Sequence, residues 1–284
     1  MQLTPSIFRE FIGLEVRRTS YQDLHVLTKL LISFSLSLSI LFVRDLPSAL
    51  ALLALSAALC KIAGIPLGAI RKYLVVLASV TSFIAIAFVL FASIPGRVTY
   101  FEHTLFRLEA EKGVLEWKIL VSDRSLEYTA VFVTRIFSMI LSAILLLGSV
   151  SDRELVWGLR AAKAPYGLCL AVALFFKGFQ AFVSDFFTVR DAMQARGVDF
   201  DKMSLLEKFR IYVNALIPLF ALLISRSYEI SLALEARGIS PGSRVSSSYY
   251  ESRPRGRDYI AIVGAILVVA LFYYYSALVA GWIS

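Results

Sequence analysis

The sequence predicts an all-α, polytopic membrane protein with about five transmembrane helices and a separate domain of three long amphipathic helices. Its 284 residues are 58% hydrophobic and 18% charged, with a mean hydropathy of +0.73, which is too apolar for an ordinary soluble domain. The apolar residues also form runs of the roughly 20 residues that a helix needs to span a bilayer. Lipid offers no partner to backbone N–H and C=O groups, so such runs predict helices rather than open sheet.

Residues 24–150 are predicted to form four transmembrane helices after a polar N-terminal segment, residues 1–23. The link between the first two apolar runs is only the tetrapeptide Arg44-Asp45-Leu46-Pro47, which predicts an antiparallel helix pair. A mixed-charge loop, residues 95–125, separates the third run from the fourth. The apolar runs are, in chain order, 24–43, 48–65, 73–94 and 126–150.

The distribution of lysine and arginine predicts which side of the cell membrane each loop occupies. Basic residues accumulate in the loops that stay in the cytoplasm. The basic residues that flank one face of the first spans are Arg9, Arg17, Arg18, Lys61, Arg71 and Lys72. We therefore expect the N-terminus to lie in the cytoplasm and loop 95–125 to be extracellular.

Residues 151–257 are predicted to form a cytoplasmic domain, because they combine apolar helical patterns with a high density of lysine and arginine. Their two most apolar pieces are 168–189, which contains Lys177 and Asp185, and 211–224, which is shorter than a full span. Charges inside a span are costly and short runs cannot cross, so both pieces are expected to lie along the membrane surface. The alternative, that one or both cross, stays open here.

The last apolar run, residues 258–284, is predicted to be the fifth transmembrane helix and to leave the C-terminus outside the cell. Its aromatic residues, among them Trp282, suit the interface between lipid and water. The net charge of +8 does not indicate nucleic-acid binding, because the basic residues flank apolar runs. Cys60 and Cys169 stand in apolar surroundings and are expected to be small core residues. The sequence indicates no metal site and no bound cofactor.

Two segments of the predicted cytoplasmic domain resemble each other, Ala192–Val198 and Ala233–Ile239. Each ends a helical pattern with Arg and then Gly. A glycine just past a helix adopts the left-handed conformation of a Schellman cap, and one such end predicts no more than a cap. Two similar ends indicate more, since each exposed guanidinium fits a narrow acidic pocket and two equivalent pockets indicate a dimeric or two-lobed partner.

At these residues the sequence resembles the T component (EcfT) of energy-coupling factor transporters, a family of transmembrane subunits of ABC-type importers. The family signature is a pair of Ala-Arg-Gly or Ala-Arg-Ser tripeptides that end two cytoplasmic coupling helices, and it matches Ala195-Arg196-Gly197 and Ala236-Arg237-Gly238. The resemblance covers about 126–239. Leu27–Leu31 resembles the end of the family's N-terminal motif, although its Asp-Pro-Arg part is absent. Loop 95–125 is longer than the family's.

The resemblance implies a scaffold subunit that joins two ABC-type, EcfA-like ATPases to a membrane S component, the substrate-binding subunit for a vitamin or a transition metal ion. Arg196 and Arg237 would each enter a groove of one ATPase, flanked by Ala195, Gly197, Ala236 and Gly238. The apolar faces of 168–189 and 203–224 would slide against the S component. ATP and Mg²⁺ would bind to the partner ATPases, because this sequence contains no Gly-x-x-x-x-Gly-Lys-Ser/Thr phosphate loop.

Two other functions are alternatives to this interpretation. A stand-alone secondary transporter places ionisable groups near the bilayer midplane, whereas the predicted spans hold almost none except Arg135. A membrane-embedded enzyme needs paired carboxylates or a nucleophile motif, which the sequence does not display. The carboxylates that an enzyme could use are Asp185, Asp191, Glu207, Glu229 and Glu235. We expect these on solvated helix faces or in intrahelical pairs, such as Glu207 with Arg210 and Arg226 with Glu229.

Overall fold

The computed structural model describes residues 19–91, 96, 98–110, 113–200, 203–239 and 254–283. Within these residues the fold is predominantly helical, as predicted. Residues 1–18, most of the predicted N-terminal segment, and 240–253, part of the predicted cytoplasmic domain, lie outside the described part. The elements are, in chain order, α1 (Val26–Phe42), α2 (Leu46–Ile62), α3 (Leu67–Phe91), β1 (Thr99–Ala110), β2 (Gly113–Ser122), α4 (Asp123–Ser149), α5 (Asp152–Ala161), α6 (Tyr166–Ala195), α7 (Leu205–Ala236) and α8 (Gly256–Ile283).

The chain divides into two compact units. Unit 1 comprises Met1–Ser151 and Ser252–Ser284, and so contains α1 to α4, both strands and α8. Unit 2 comprises Asp152–Glu251 and contains α5, α6 and α7, of which α6 and α7 end in the Arg-Gly motifs singled out above.

Helix packing in unit 1 uses small polar side chains. Helix α2 packs against α4, and α1 packs against α4 and α8. The Ser142 hydroxyl of α4 donates to the Ser33 carbonyl of α1 at 3.1 Å, and the Cys60 thiol of α2 donates to the Leu141 carbonyl at 3.4 Å. Small side chains let apolar helices approach closely and satisfy hydrogen-bonding groups within the protein. The predicted burial of Cys60 and Cys169 is confirmed.

Lys29 ties the start of α1 to the end of α4. Its side chain is 0% exposed, and its Nζ donates to the carbonyl of Ser149, the last residue of α4, at 3.3 Å. A cation at this place meets the negative end of the helix dipole and a carbonyl that the helix itself leaves unpaired. Lys29 belongs to the stretch that resembles the N-terminal motif of the EcfT family.

Four of the described helices, α4, α6, α7 and α8, are long and apolar enough to cross a membrane. Helices α1 and α2 have 17 residues each, which corresponds to about 25 Å. The expectation that 211–224 is too short to cross is wrong, because this run lies inside α7, a continuous helix of 32 residues. Helix α6 has 30 residues. Both α6 and α7 are therefore long enough to cross a membrane. That they lie along the membrane surface stays a prediction, argued from their charges.

Residues 95–125, expected to be a loop, contain an antiparallel pair of strands. Strand β1 pairs with β2 from Thr99 opposite Ser122 to Ala110 opposite Gly113, with two register shifts. A signal was present in the sequence, since apolar and polar residues alternate along Leu115–Ile119 with the period of a strand. The mixed charges of this segment favour a loop instead, and that prediction is wrong for the paired residues.

Candidate functional site

The end of α6 forms the predicted Schellman cap around Arg196. Gly197 has a φ of +90°, its N–H donates to the Gln194 carbonyl at 3.0 Å, and the Val198 N–H donates to the Met193 carbonyl at 3.2 Å. These two bonds satisfy carbonyls that the helix leaves unpaired, and they require a residue that tolerates positive φ. No atom lies within 4 Å of a Cβ placed on Gly197, so glycine is required here by backbone conformation alone.

The end of α7 repeats this geometry around Arg237. Gly238 has a φ of +69°, its N–H donates to the Glu235 carbonyl at 2.9 Å, and the Ile239 N–H donates to the Leu234 carbonyl at 3.0 Å. A Cβ on Gly238 would also meet nothing within 4 Å. The two segments whose sequences resemble each other therefore have the same local structure, and the predicted caps are confirmed.

Both tripeptides are exposed at the tips of their helices. The exposed residues are Ala195, Arg196, Gly197, Ala236, Arg237 and Gly238. Within the described part of the chain, no carboxylate lies within 4 Å of Arg196 or Arg237. As far as the described residues are concerned, each guanidinium keeps its N–H donors available for another molecule. The small neighbours leave room for a pocket to close around it.

An aromatic cluster holds the chain behind the Arg196 tip. Phe200 is 5% exposed and stacks on Tyr212 of α7, with ring centroids 5.5 Å apart. Tyr212 also stacks on Phe186 of α6 at 5.7 Å, and the Arg190 guanidinium lies 5.9 Å from the Phe200 ring. Aromatic pairs and cation–π contacts each contribute on the order of 0.5–1.5 kcal/mol. The tip is thus held by side chains that the sequence motif does not include.

Asp185 of α6 and Arg226 of α7 form an ion pair between the two helices. The two terminal guanidinium nitrogens of Arg226 each contact one carboxylate oxygen of Asp185, at 3.0 Å (Nη1 to Oδ2) and 3.4 Å (Nη2 to Oδ1). The intrahelical pair expected between Arg226 and Glu229 does not form. The pair expected between Glu207 and Arg210 is also absent, because Glu207 instead accepts the Ser204 N–H at 3.0 Å and caps the start of α7.

The exposed side of α7 carries an apolar stripe. The buried residues of α7, Ala215 and Leu219, lie on the other side of the helix. Large apolar residues spaced by three or four positions share one helix face. The apolar stripe consists of Leu206, Phe209, Val213, Ile217, Phe220 and Ile224, each between 41% and 82% exposed. This surface lies within the apolar segments that sequence analysis associated with a membrane partner.

Arg135, the one charge noted inside a predicted span, lies half-buried on α4. Its Nε has no hydrogen-bond partner among the described residues. The same part of the chain contains no group of three or more His, Cys, Asp or Glu side chains placed to hold a metal ion.

Residues 17–247 match the model of the CbiQ family, described as cobalt transport protein. The matched stretch covers well over half of the chain and includes both Arg-Gly helix ends. This chain belongs to the CbiQ family. Curated relatives of this CbiQ protein carry the name energy-coupling factor transporter transmembrane protein EcfT, and the resemblance seen in the sequence to the T component of these transporters is confirmed.

Three such EcfT relatives show the extent of similarity. The Streptococcus thermophilus protein is 35% identical over 132 residues, which is 45% of this chain and 48% of the relative. The Lactococcus lactis protein is 25% identical over 185 residues, 62% and 65% of the two chains. The Bacillus subtilis protein is 29% identical over 125 residues, 44% and 47%. The matched stretches thus span about half to two thirds of the length of these relatives.

Proposed function

We propose that this CbiQ protein is the non-catalytic coupling subunit of an energy-coupling factor importer, and that Arg196 and Arg237 each dock into one of two ABC-type ATPases. The observation that carries the proposal is the pair of matching helix ends, each with an exposed arginine without a carboxylate partner among the described residues. A planar guanidinium makes paired hydrogen bonds to a carboxylate, which favours an acidic groove as its site. ATP and Mg²⁺ would bind to the ATPases.

The apolar stripe on α7 is proposed to contact the S component, the membrane subunit that binds substrate. Its residues are too exposed for a structural core, and a membrane partner or lipid must cover them. The substrate is proposed to be a vitamin or a transition metal ion, bound by the S component. In this arrangement, closure of the ATPase pair moves the arginine tips, and α6 and α7 transmit the motion to the stripe.

Charge reversal tests the docking arginines. The full chain carrying Arg196→Glu and Arg237→Glu should no longer co-purify with its ATPase pair, whereas each single reversal should weaken binding. Hydrogen bonds to charged groups contribute about 1.5–3 kcal/mol, or roughly 10- to 150-fold in affinity. Lys208→Glu with Arg210→Glu is the matched control, since it reverses two charges at the start of α7. Unchanged binding of the Arg196/Arg237 variant would refute the docking role.

A substitution in the apolar stripe separates the two partner surfaces. Ile217→Glu places a charge on a side chain that is 71% exposed, so the chain should fold while losing the S component. ATPase binding should persist. Simultaneous loss of both partners at normal helical content would contradict separate surfaces.

The predicted orientation places the Arg196 tip, the N-terminus and the ATPases in the cytoplasm. Gln194→Cys introduces an exposed thiol beside the tip, and native Cys60 and Cys169 are buried. A membrane-impermeant maleimide should label this thiol in inside-out vesicles and leave it unlabelled in intact cells. Labelling from outside would place the Arg196 tip outside the cell and would overturn the docking model.

A further inference from the structure

Helix α5 presents a basic face that the proposed coupling role does not use. Arg153, Trp157 and Arg160 are four and three residues apart, which places them on one side of the helix. Both arginines are exposed and Trp157 is half-buried. Lys163, just past the helix end, is exposed as well. These four residues are called the α5 basic face below.

The other side of α5 is turned inward. Gly158 is buried, Leu155 and Leu159 are half-buried, and α5 packs along α6. An amphipathic helix that buries its apolar side in this way presents the opposite side to its surroundings. The basic face is therefore an outer surface of unit 2.

The positive charges of this face have no carboxylate partner in the part of the chain that the structure describes. Among the described residues no carboxylate lies within 4 Å of Arg153, Arg160 or Lys163. Three neighbouring cations with no counterion among the described residues attract an anionic partner.

The backbone at Lys163 gives an independent indication. The end of α5 is a Schellman cap like those of α6 and α7, with the Lys163 N–H donating to Arg160 and the Ala164 N–H to Leu159. Lys163 has a φ of 60° and is the only described residue other than glycine with positive φ. The equivalent position is glycine at the ends of α2, α6 and α7. Strained backbone concentrates at functional positions, which suggests a role for the lysine side chain.

We propose that the α5 basic face binds the phosphate groups of anionic phospholipids at the membrane surface. Arginine forms two parallel hydrogen bonds to a phosphate, lysine adds a point charge, and tryptophan prefers the lipid–water interface. Basic clusters just cytoplasmic of a span are attracted to anionic leaflets. Helix α5 starts three residues after α4 ends at Ser149, so at most about 11 Å of chain separates it from a predicted span. This adjacency and Trp157 favour lipid over an ATPase surface.

Trp157 itself reports the contact. The chain has three tryptophans, and Trp117→Phe with Trp282→Phe leaves Trp157 alone in the full-length protein. This protein is placed in phosphatidylcholine nanodiscs that contain acyl-brominated phosphatidylglycerol or, at equal mole fraction, acyl-brominated phosphatidylcholine. Bromine quenches tryptophan fluorescence on contact. We expect stronger quenching by phosphatidylglycerol, because the basic face concentrates this lipid around α5.

Neutral variants test the charges. Each charge removed should lower the preference for phosphatidylglycerol about fivefold. Arg153→Gln, Arg160→Gln and Lys163→Gln together should therefore abolish it. Lys177→Gln, Lys208→Gln and Arg210→Gln remove the same charge elsewhere in unit 2 and should preserve it. Lys163→Gly alone should lower the preference while relieving the backbone, so loss of folding cannot explain its effect. Circular dichroism checks the helical content of each variant.

Three results would overturn the proposal. Equal quenching by the two lipids would show no headgroup selectivity, and an equal loss in the control variant would show that only net charge matters. Absence of quenching by either lipid, with Trp157 fluorescence responding only to added ATPase pair, would assign the face to a protein partner.

Discussion

Asp185 and Arg226 occupy equivalent positions in the two arms that carry the candidate docking arginines. Asp185 precedes Arg196 by eleven residues on α6, and Arg226 precedes Arg237 by eleven residues on α7. A helix rises 1.5 Å per residue, so each tip lies about 16 Å along its helix from the ion pair. The pair therefore joins the arms at matching distances from their ends, seven residues before each of the segments whose sequences resemble each other.

The ion pair should contribute modestly to stability. Its side chains are 41% and 23% exposed, and partly exposed pairs contribute about 0.5–1 kcal/mol. A double-mutant cycle with Asp185→Asn and Arg226→Gln, measured by denaturant unfolding in micelles, should give a coupling energy of this size. Asp185→Arg with Arg226→Asp should recover most of it. Strictly additive single effects would show that the two side chains do not interact in solution.

Substitutions in the three helix caps of unit 2 should change the free energy of unfolding in opposite directions. Gly197→Ala and Gly238→Ala should each lower the free energy of unfolding by about 1–2 kcal/mol, because alanine resists positive φ although space is open around both positions. Lys163→Gly should raise it by about 1 kcal/mol. Gly264→Ala in α8, which also meets nothing within 4 Å, serves as the control and should be neutral or slightly stabilising. Thermal unfolding in detergent would rank the variants.

Asp258 should be required for the stability of unit 1. Its buried carboxylate accepts the N–H of His25, the residue before α1, and the N–H of Arg255, the residue before α8, each at 2.7 Å. Asp258→Ala leaves both donors unpaired and should cost about 3 kcal/mol, whereas Asp258→Asn keeps one acceptor oxygen and should cost about half as much. Denaturant titration of the two variants in micelles measures the difference. Equal costs would argue against the two-bond role.

Gly96 should not tolerate a side chain. A Cβ there would lie 2.8 Å from the Ser122 Cβ and would also collide with the Asp123 carboxylate. These residues join β2 to α4, and the Asp123 N–H donates to the Val98 carbonyl at 3.2 Å. Gly96→Ala should cost about 1–3 kcal/mol and speed proteolysis within 95–125. Gly256→Ala, where nothing lies within 4 Å, should leave both properties unchanged.

Local sequence patterns were sufficient to predict much of the structure. Long apolar runs predicted a helical membrane protein because a lipid environment leaves few other solutions for the backbone. The caps at Arg196 and Arg237 were predictable because a Schellman cap involves only about six consecutive residues and a glycine marks its position. Their function as docking sites, and the side of the membrane on which they lie, stay predictions.

Some features had a sequence signal that competing signals obscured. The alternation along β2 indicated a strand, but the charges in 95–125 favoured a loop. The apolar run 211–224 was taken as a separate short piece because a polar stretch follows it, yet the structure continues α7 through that stretch and through Pro218. A proline removes one backbone hydrogen bond and need not end a long helix.

By itself the sequence determined the fold class, the family resemblance and the two arginine tips, since each depends on residues that are neighbours in the chain. Only the tertiary structure decided that Arg226 pairs with Asp185 and that the Asp258 carboxylate accepts the N–H of His25, 233 positions away. It also decided that the Lys29 ammonium donates to the Ser149 carbonyl. It also revealed the left-handed backbone conformation of Lys163, which the sequence did not indicate because this residue is not a glycine. Partners that are distant in the chain are chosen by how helices pack, and a periodic pattern shows which face of a helix is buried without showing what covers it.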